Sequence, residues 1–197
     1  MILVSNHALE RKYFPVPQDV VIRVNVAWVR TVPMLEKILT ETEYDIFLDY
    51  PQGRTKPPVP TIALEDTLRS VHRFPHVKYF AVSNVEDPEA IHVIQRRLPT
   101  HVMMVPKIET QKGVDQLEYI VKDTGVRYIM LDKEDLYFNI GGESELYGEL
   151  VKRVRNKAKE LSVEVLELHG VIFGPAYIEE KISSAKVEAS KELVATS

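Results

Sequence analysis

The sequence has no cysteine among its 197 residues, and this absence removes several classes of site. Disulfides, thiolate zinc sites and cysteine nucleophiles are all excluded. The sequence also has no excess of positive charge, because it contains 25 basic and 29 acidic residues and its net charge is −4. Nucleic-acid-binding domains usually carry a basic surface, so nucleic acid is not an expected partner. No apolar run approaches the roughly 20 residues that a membrane-spanning helix needs, so no membrane partner is expected either.

The N-terminal segment lacks the pattern of a signal peptide, since no basic region precedes its short apolar stretch. Together these absences predict a cytoplasmic protein. The composition is that of a folded protein, with 45% hydrophobic and 27% charged residues. A chain of this length is expected to form a single domain, which we place at residues 1–197, with residues 177–197 as a C-terminal helix.

Apolar runs rich in β-branched residues alternate with helical patterns along most of the chain. The predicted strands lie at 2–5, 20–26, 45–48, 77–82, 102–105, 128–131 and 163–166, with a further short run at 171–173. Asp87 followed by Pro88 predicts the start of one intervening helix. Strands spaced roughly 28 residues apart and separated by helices predict a parallel α/β fold. We expect a compact or incomplete TIM-type (β/α)8 barrel, although an open doubly wound sheet shares the same local pattern.

Polar residues stand at the ends of the predicted strands, where parallel α/β proteins place their active sites. These residues are Arg23, Asn25, Asp49, Ser83, Lys107, Glu109, Asp135 and His169. Glu109 and Asp135 are hard oxygen ligands of the kind that Mg²⁺ or Mn²⁺ prefers. Lys107 and Arg23 supply positive charge for a carboxylate or a phosphate. The set therefore predicts a site for enolate or phosphoryl-transfer chemistry.

Each of these residues also has a purely structural interpretation. Asp135 could cap a turn, Arg23 could form a buried ion pair with Asp49, and any strand-end residue could be a solvated loop residue. The occurrence of such residues at successive strand ends favours a functional site.

Two segments resemble motifs of a known superfamily. The segment VPKIETQKGV at 105–114 is similar to the "KIE…GV" segment of pyruvate kinase, and YIMLDKEDL at 128–136 is similar to its "GIMVARGDL" segment. The segments 22–25, 47–49 and 81–83 resemble three further strands of that barrel, in the same order. The same residues look at least as much like the metal-dependent 2-oxo-acid aldolases and the citrate lyase β-subunit-like proteins. All of these belong to the phosphoenolpyruvate/pyruvate-binding barrel superfamily.

The resemblance implies a divalent-metal-dependent enzyme of pyruvate or 2-oxo-acid enolate chemistry, with an aldolase or lyase as the first choice. The metal ligands, for Mg²⁺ or Mn²⁺, would be Glu109 and Asp135, and the catalytic lysine would be Lys107. His169, at the end of the seventh predicted strand, is a second candidate for the catalytic acid–base group. The substrate-binding residues would be Arg23, Asn25, Asp49 and Ser83. The substrate would be a small 2-oxo acid or a phosphoenolpyruvate-like molecule, and the assembly would be a homo-oligomer.

Departures from the pyruvate kinase pattern keep two alternatives open. Only residues 52–73 stand between the third and fourth strands, where pyruvate kinase carries a lid domain, and Glu134 replaces its glycine before the metal-binding aspartate. The chain could therefore be a pyruvate-kinase-like phosphotransferase remnant, or a non-catalytic subunit that binds a metabolite or a partner. Metal binding by Glu109 and Asp135 together would separate an enzyme from a structural module.

Overall fold

The computed structural model describes residues 2–5, 20–54, 58–169 and 172–173. Within them, eight strands pair in sequence order to form one closed ring. The strands are β1 (Ile2–Ser5), β2 (Val20–Asn25), β3 (Asp45–Tyr50), β4 (Val77–Val82), β5 (Met103–Ile108), β6 (Tyr128–Leu131), β7 (Glu164–His169) and β8 (Ile172–Phe173). The predicted C-terminal helix at 177–197 lies outside the described residues.

The first seven strands run parallel to their neighbours, and the eighth does not. The two-residue strand β8 is antiparallel to both β7 and β1 and closes the gap between them. The chain is therefore an α/β barrel of the incomplete TIM type, as predicted. The ring order excludes the doubly wound alternative, since such a sheet has two open edges.

Helices cover the outside of this ring. In the described residues they are α1 (Val32–Glu41), α2 (Leu64–Arg73), α3 (Pro88–Gln95), α4 (Gln111–Asp115), α5 (Leu117–Thr124), α6 (Lys133–Asn139) and α7 (Ser144–Glu160). The predicted start of α3 is confirmed, because Asp87 accepts a hydrogen bond from the N–H of Glu89 and Pro88 occupies the first turn. None of these helices is long and apolar enough to cross a membrane.

Side-chain alternation along the strands produces two cores. The larger core packs the outer face of the sheet against the helices, with Ile22, Leu48 and Phe80 fully buried. The smaller core fills the inside of the barrel. Its buried members, one from each of six strands, are Val21, Phe47, Ala81, Val105, Met130 and Leu166.

The inner core determines which polar residues enter the barrel. A strand residue two positions beyond an inner-core residue points to the same side. The residues that stand two positions after the inner-core residues, towards the carboxyl ends of the strands, therefore form a polar layer next to the apolar one. That layer comprises Arg23, Asp49, Ser83, Lys107 and Asp132.

Candidate active site

Arg23 and Asp49 form the first pair of this polar layer. Arg23 Nε donates to Asp49 Oδ2 at 3.0 Å, and a second guanidinium nitrogen contacts the same oxygen. Asp49 is almost completely buried, so its charge is held in place by this pair and by Lys107, whose Nζ lies 3.6 Å away. The ion pair considered in the sequence analysis is therefore present, and it fixes the orientation of the guanidinium group.

Lys107 lies at the centre of the layer, where it contacts three carboxylates. Its Nζ is 2.7 Å from Glu109 Oε1 and 3.6 Å from oxygens of both Asp49 and Asp132. It also donates to Ser83 Oγ at 3.2 Å. The side chain is only 5% exposed, so these contacts replace the water that a lysine ammonium normally binds.

Glu109 follows β5 and is held from its other side by the backbone of Asn84. The N–H of Asn84 donates to Glu109 Oε2 at 2.7 Å. Asn84 adopts a left-handed conformation with φ of 54°, and its side chain donates to the carbonyl of Gln52 at 2.9 Å. Asparagine tolerates this conformation better than most residues, so the turn after β4 can aim an N–H at the carboxylate.

Three carboxylates converge where β5 and β6 end. Glu109, Asp132 and Asp135 each offer an oxygen, and these atoms lie within 4.8 Å of one another. Asp132 also caps α6, because its Oδ1 accepts from the N–H of Asp135 at 3.3 Å. The cap places both aspartates on one side of the first turn of α6, facing Glu109.

Burial and ion pairing set the protonation of these groups. Burial favours the neutral form of Asp49, but Lys107 and Arg23 outweigh it and hold the pKa of Asp49 below its usual range. Burial raises the pKa of Glu109, and Lys107 opposes that rise. Burial also disfavours charged Lys107, yet Asp49, Glu109 and Asp132 together raise its pKa well above the ordinary value. Lys107 is therefore a fixed cation at neutral pH.

A cavity of about 250 Å³ opens beside the three carboxylates. The cavity is lined by residues from the loop after β3, the turn after β4, the end of β5 and helix α6. These residues are Gly53, Arg54, Ser83, Asn84, Glu109, Asp135, Phe138 and Asn139. Two of the three clustered carboxylates therefore face a space large enough for a small organic acid.

A second ion-pair network stands behind the site, on the outer face of β7. Glu167 accepts from Arg155 Nε and from a terminal Arg155 nitrogen, both at 2.8 Å, and Lys133 Nζ lies 2.7 Å from Oε2. Burial alone would raise the pKa of Glu167, but these two cations lower it to about 2. Because Lys133 is the first residue of α6, the network anchors the helix that carries Asp135.

The structure brings most of the predicted site residues together. Those in mutual contact or lining the cavity are Arg23, Asp49, Ser83, Lys107, Glu109 and Asp135. Asn25 instead caps the short 3-10 helix Val26–Trp28, since its Oδ1 accepts from the N–H of Ala27 at 3.0 Å. His169 ends β7, and its side chain lies outside the described part of the chain.

Two contributors to the site have no assigned role in the sequence analysis, namely Asp132 and the backbone N–H of Asn84. Asp132 stands two positions after the inner-core residue Met130, and that spacing is the signal that places it in the layer. The Asn84 contact depends on a backbone conformation, which leaves no comparable signal in the sequence. Glu134, which the sequence places beside the predicted ligand Asp135, is exposed and is not part of the carboxylate cluster.

No protein-family model matches the sequence, and no curated protein matches it. Solved structures do match the fold. An HpcH/HpaI aldolase/citrate lyase family protein from Burkholderia cenocepacia superposes with a TM-score of 0.62 at 12% identity, over 98% of this chain and 93% of that one. The citrate lyase β subunit of M. tuberculosis, complexed with oxaloacetate and magnesium, superposes with a TM-score of 0.58 at 14% identity. The match covers 84% of this chain and 75% of that one. RipC from Yersinia pestis superposes with a TM-score of 0.57 at 12% identity, and the match covers 75% of this chain and 68% of that one.

At these identities the likeness shows a shared fold. The solved proteins fit the aldolase and citrate lyase β branch of the superfamily that the segments at 105–114 and 128–136 resemble. The pyruvate kinase branch of that resemblance stays a prediction.

Proposed function

We propose that this protein is a divalent-metal-dependent enzyme of pyruvate or 2-oxo-acid enolate chemistry, and that it acts as an aldolase or lyase. The observation that supports this is the convergence of Glu109, Asp132 and Asp135 next to the buried cation Lys107, with Glu109 and Asp135 lining the cavity. Lyases of the same fold, one of them complexed with magnesium and oxaloacetate, support the reaction class.

The donor set fits Mg²⁺ or Mn²⁺. Glu109, Asp132 and Asp135 would hold the ion through carboxylate oxygens, which are the ligands that both metals prefer. Glu109 Oε1 is also buried without a hydrogen-bond donor in good alignment, although Lys107 lies close to it. Four carboxylates and only two cations make up the layer and the cluster, so a divalent cation would balance the charge. When bound, such an ion polarises the oxo group of a 2-oxo acid and makes its enolate accessible.

The chain's own residues would then bind and orient the substrate. Arg23, fixed by Asp49, would face the substrate carboxylate, for which a guanidinium group is the best matched cation. Lys107 would stabilise negative charge that develops on the substrate, since it is already charged and immobile. Ser83 would keep the Lys107 ammonium in place, and His169 remains the proposed acid–base group.

A non-catalytic metabolite-binding subunit is the second candidate, and one contact favours it. Lys107 Nζ lies 2.7 Å from Glu109 and within 3.6 Å of Asp132, so a built-in cation already neutralises part of the cluster. A protein that had lost its metal could retain such a charge balance.

Calorimetry with Mg²⁺ and Mn²⁺, with and without oxalate, separates the two candidates. Oxalate imitates the enolate of pyruvate, so an enzyme of this class should bind oxalate only when the metal is present. The double variant Glu109→Gln/Asp135→Asn should lose both metal and oxalate binding, whereas Glu134→Gln should keep them because Glu134 is exposed outside the cluster. No metal binding at millimolar concentration would contradict the proposal. A positive result leads to a screen for metal-dependent aldol cleavage, and to sedimentation analysis of the proposed homo-oligomer.

A further inference from the structure

A second cavity, of about 510 Å³, adjoins the one beside the carboxylates. The two cavities share Gly53 and Arg54, which belong to the loop after β3. Gly53 has a φ of +68°, and it has no side chain to narrow the space between the cavities. The edge at Gly53 is therefore the route by which a ligand held at the carboxylates would reach the second cavity.

The walls of the second cavity are mainly apolar, in contrast to the first. They are formed by the end of β3, the start of α2 and one side of α3, through Tyr50, Pro51, Pro60, Leu64, Val93 and Ile94. Arg54 is the charged residue of this lining, and its Nε donates to the carbonyl of Pro58 at 3.0 Å. Val93 is 49% exposed, so its side chain leaves apolar surface in this wall for a ligand to cover.

The volumes also differ in what they can hold. The first cavity suffices for a three-carbon 2-oxo acid, whereas the second falls in the range of pockets that bind larger organic molecules, roughly 300–1,000 Å³. A second carboxylate or a phosphate on the substrate would lose its water against these mainly aliphatic walls. Arg54 is the one cation among the described residues of the lining, and its Nε already donates to the carbonyl of Pro58.

We propose that the second cavity binds an apolar distal group of the substrate. The substrate class is then a 2-oxo acid that carries an aliphatic or aromatic chain of several carbons, and not pyruvate alone or a dicarboxylate. This inference rests on the proposed function, because the carboxylate cluster must hold the 2-oxo-acid end of the same molecule.

The test uses stable ligands, so that it does not depend on turnover. With Mg²⁺ present, calorimetry compares oxalate with N-ethyl, N-propyl and N-butyl oxamate, which keep the chelating oxygens and add an apolar chain. N-oxalylglycine, whose chain ends in a carboxylate, is the polar comparison. We expect affinity to rise about twofold to fourfold for each added methylene group, and N-oxalylglycine to bind less tightly than the propyl compound.

Variants of α3 locate the effect. Val93→Asp should abolish the gain with chain length and leave oxalate binding unchanged, and Val93→Ala should reduce the gain. Tyr119→Asp is the matched control, because Tyr119 is 55% exposed on α5 and lines neither cavity.

The outcomes separate this inference from the proposed function. Oxalate binding with no gain along the series, a gain that survives Val93→Asp, or tighter binding of N-oxalylglycine would overturn the inference alone. Absence of Mg²⁺-dependent oxalate binding would overturn the proposed function, and this inference with it.

Discussion

Lys107 Nζ lies 2.7 Å from Glu109 Oε1, so a fixed cation shares the carboxylate that we propose as a metal ligand. Both side chains are almost completely buried, and neither can move into water without breaking several contacts. A divalent ion that binds Glu109 must therefore do so beside an ammonium group. We expect this arrangement to lower the affinity for a metal and to place positive charge next to any substrate that the metal holds.

Replacing Lys107 by methionine removes the charge and keeps the length of the side chain. We expect the Mg²⁺ affinity of Lys107→Met to rise roughly tenfold, because repulsion between like charges in a poorly solvated site is lost. Calorimetric titration at neutral pH measures the change. Lys112→Met is the control, since Lys112 is exposed and paired with Glu86 at 3.2 Å. Equal affinities of the Lys107 variant and the native protein would show that the metal does not bind near Glu109.

Asp132 is the third proposed ligand, and it can be tested without unfolding α6. Asparagine caps helices as well as aspartate does, so Asp132→Asn should retain the bond from the N–H of Asp135 and the stability of the protein. It should still lower Mg²⁺ affinity at least about tenfold, because one charged ligand is lost. Thermal unfolding and metal titration on the same sample separate the two effects. Unchanged metal affinity would remove Asp132 from the ligand set.

Strand positions could be predicted well from the sequence, since buried parallel strands are continuous apolar runs. The runs at 77–82 and 128–131 coincide with β4 and β6. β5 extends to Ile108, past the predicted end at 105, because the ion pairs of Lys107 stabilise a charged residue inside the barrel. The antiparallel direction of β8 depends on its pairing with both β7 and β1. β7 and β1 are far apart in sequence, so no local sequence pattern predicts that pairing.

Helices without strong local signals were harder to predict. No side-chain hydrogen bond caps the start of α2 at Ala63, and a proline cluster at 57–60 precedes it. The acidic pair Glu65 and Asp66 in the first turn is therefore a weaker start signal than the Asp87–Pro88 pair of α3. In the site, the residue types led to Glu109 and Asp135 as proposed ligands. The contacts of Lys107 with three separate carboxylates arise only when the strands curl into a barrel.

Glu167 supports the site from the outer face of the barrel, and its charge should matter for stability. Glu167→Gln weakens the contacts with Arg155 and Lys133, so we expect the free energy of unfolding at neutral pH to fall by about 2 kcal/mol. Glu160→Gln, at an exposed position, is the control and should change it little.

The same carboxylate predicts a pH dependence with a defined sign. The pKa of Glu167 is lowered to about 2 in the folded protein, from an ordinary value of 4.5. Its contribution to stability is therefore complete above the ordinary pKa and is lost as the pH falls towards 2. In urea unfolding, the stability difference between native protein and Glu167→Gln should shrink between neutral pH and about pH 3. A difference that stays constant over this range would contradict the lowered pKa.

Gly113 lets α4 approach the loop after β4, and α4 begins two residues after Glu109. A Cβ at position 113 would lie 2.7 Å from the carbonyl oxygen of Val85, so Gly113→Ala must displace backbone. We expect a loss of about 2 kcal/mol in the free energy of unfolding. Gly148→Ala is the matched control, because its Cβ meets nothing within 4 Å on α7 and should stabilise the protein by up to about 1 kcal/mol.

The displacement at Gly113 should also reach the proposed metal site. Thr110 directly follows Glu109 and caps α4 by accepting from the N–H of Gly113 at 3.0 Å, so a shift of the helix moves both residues. Mg²⁺ affinity should therefore fall in Gly113→Ala and stay unchanged in Gly148→Ala, when both are measured well below their unfolding temperatures. If Gly113→Ala lost stability with native metal affinity, α4 would stabilise the barrel without positioning Glu109, and the carboxylate would be held by Lys107 and the N–H of Asn84 alone.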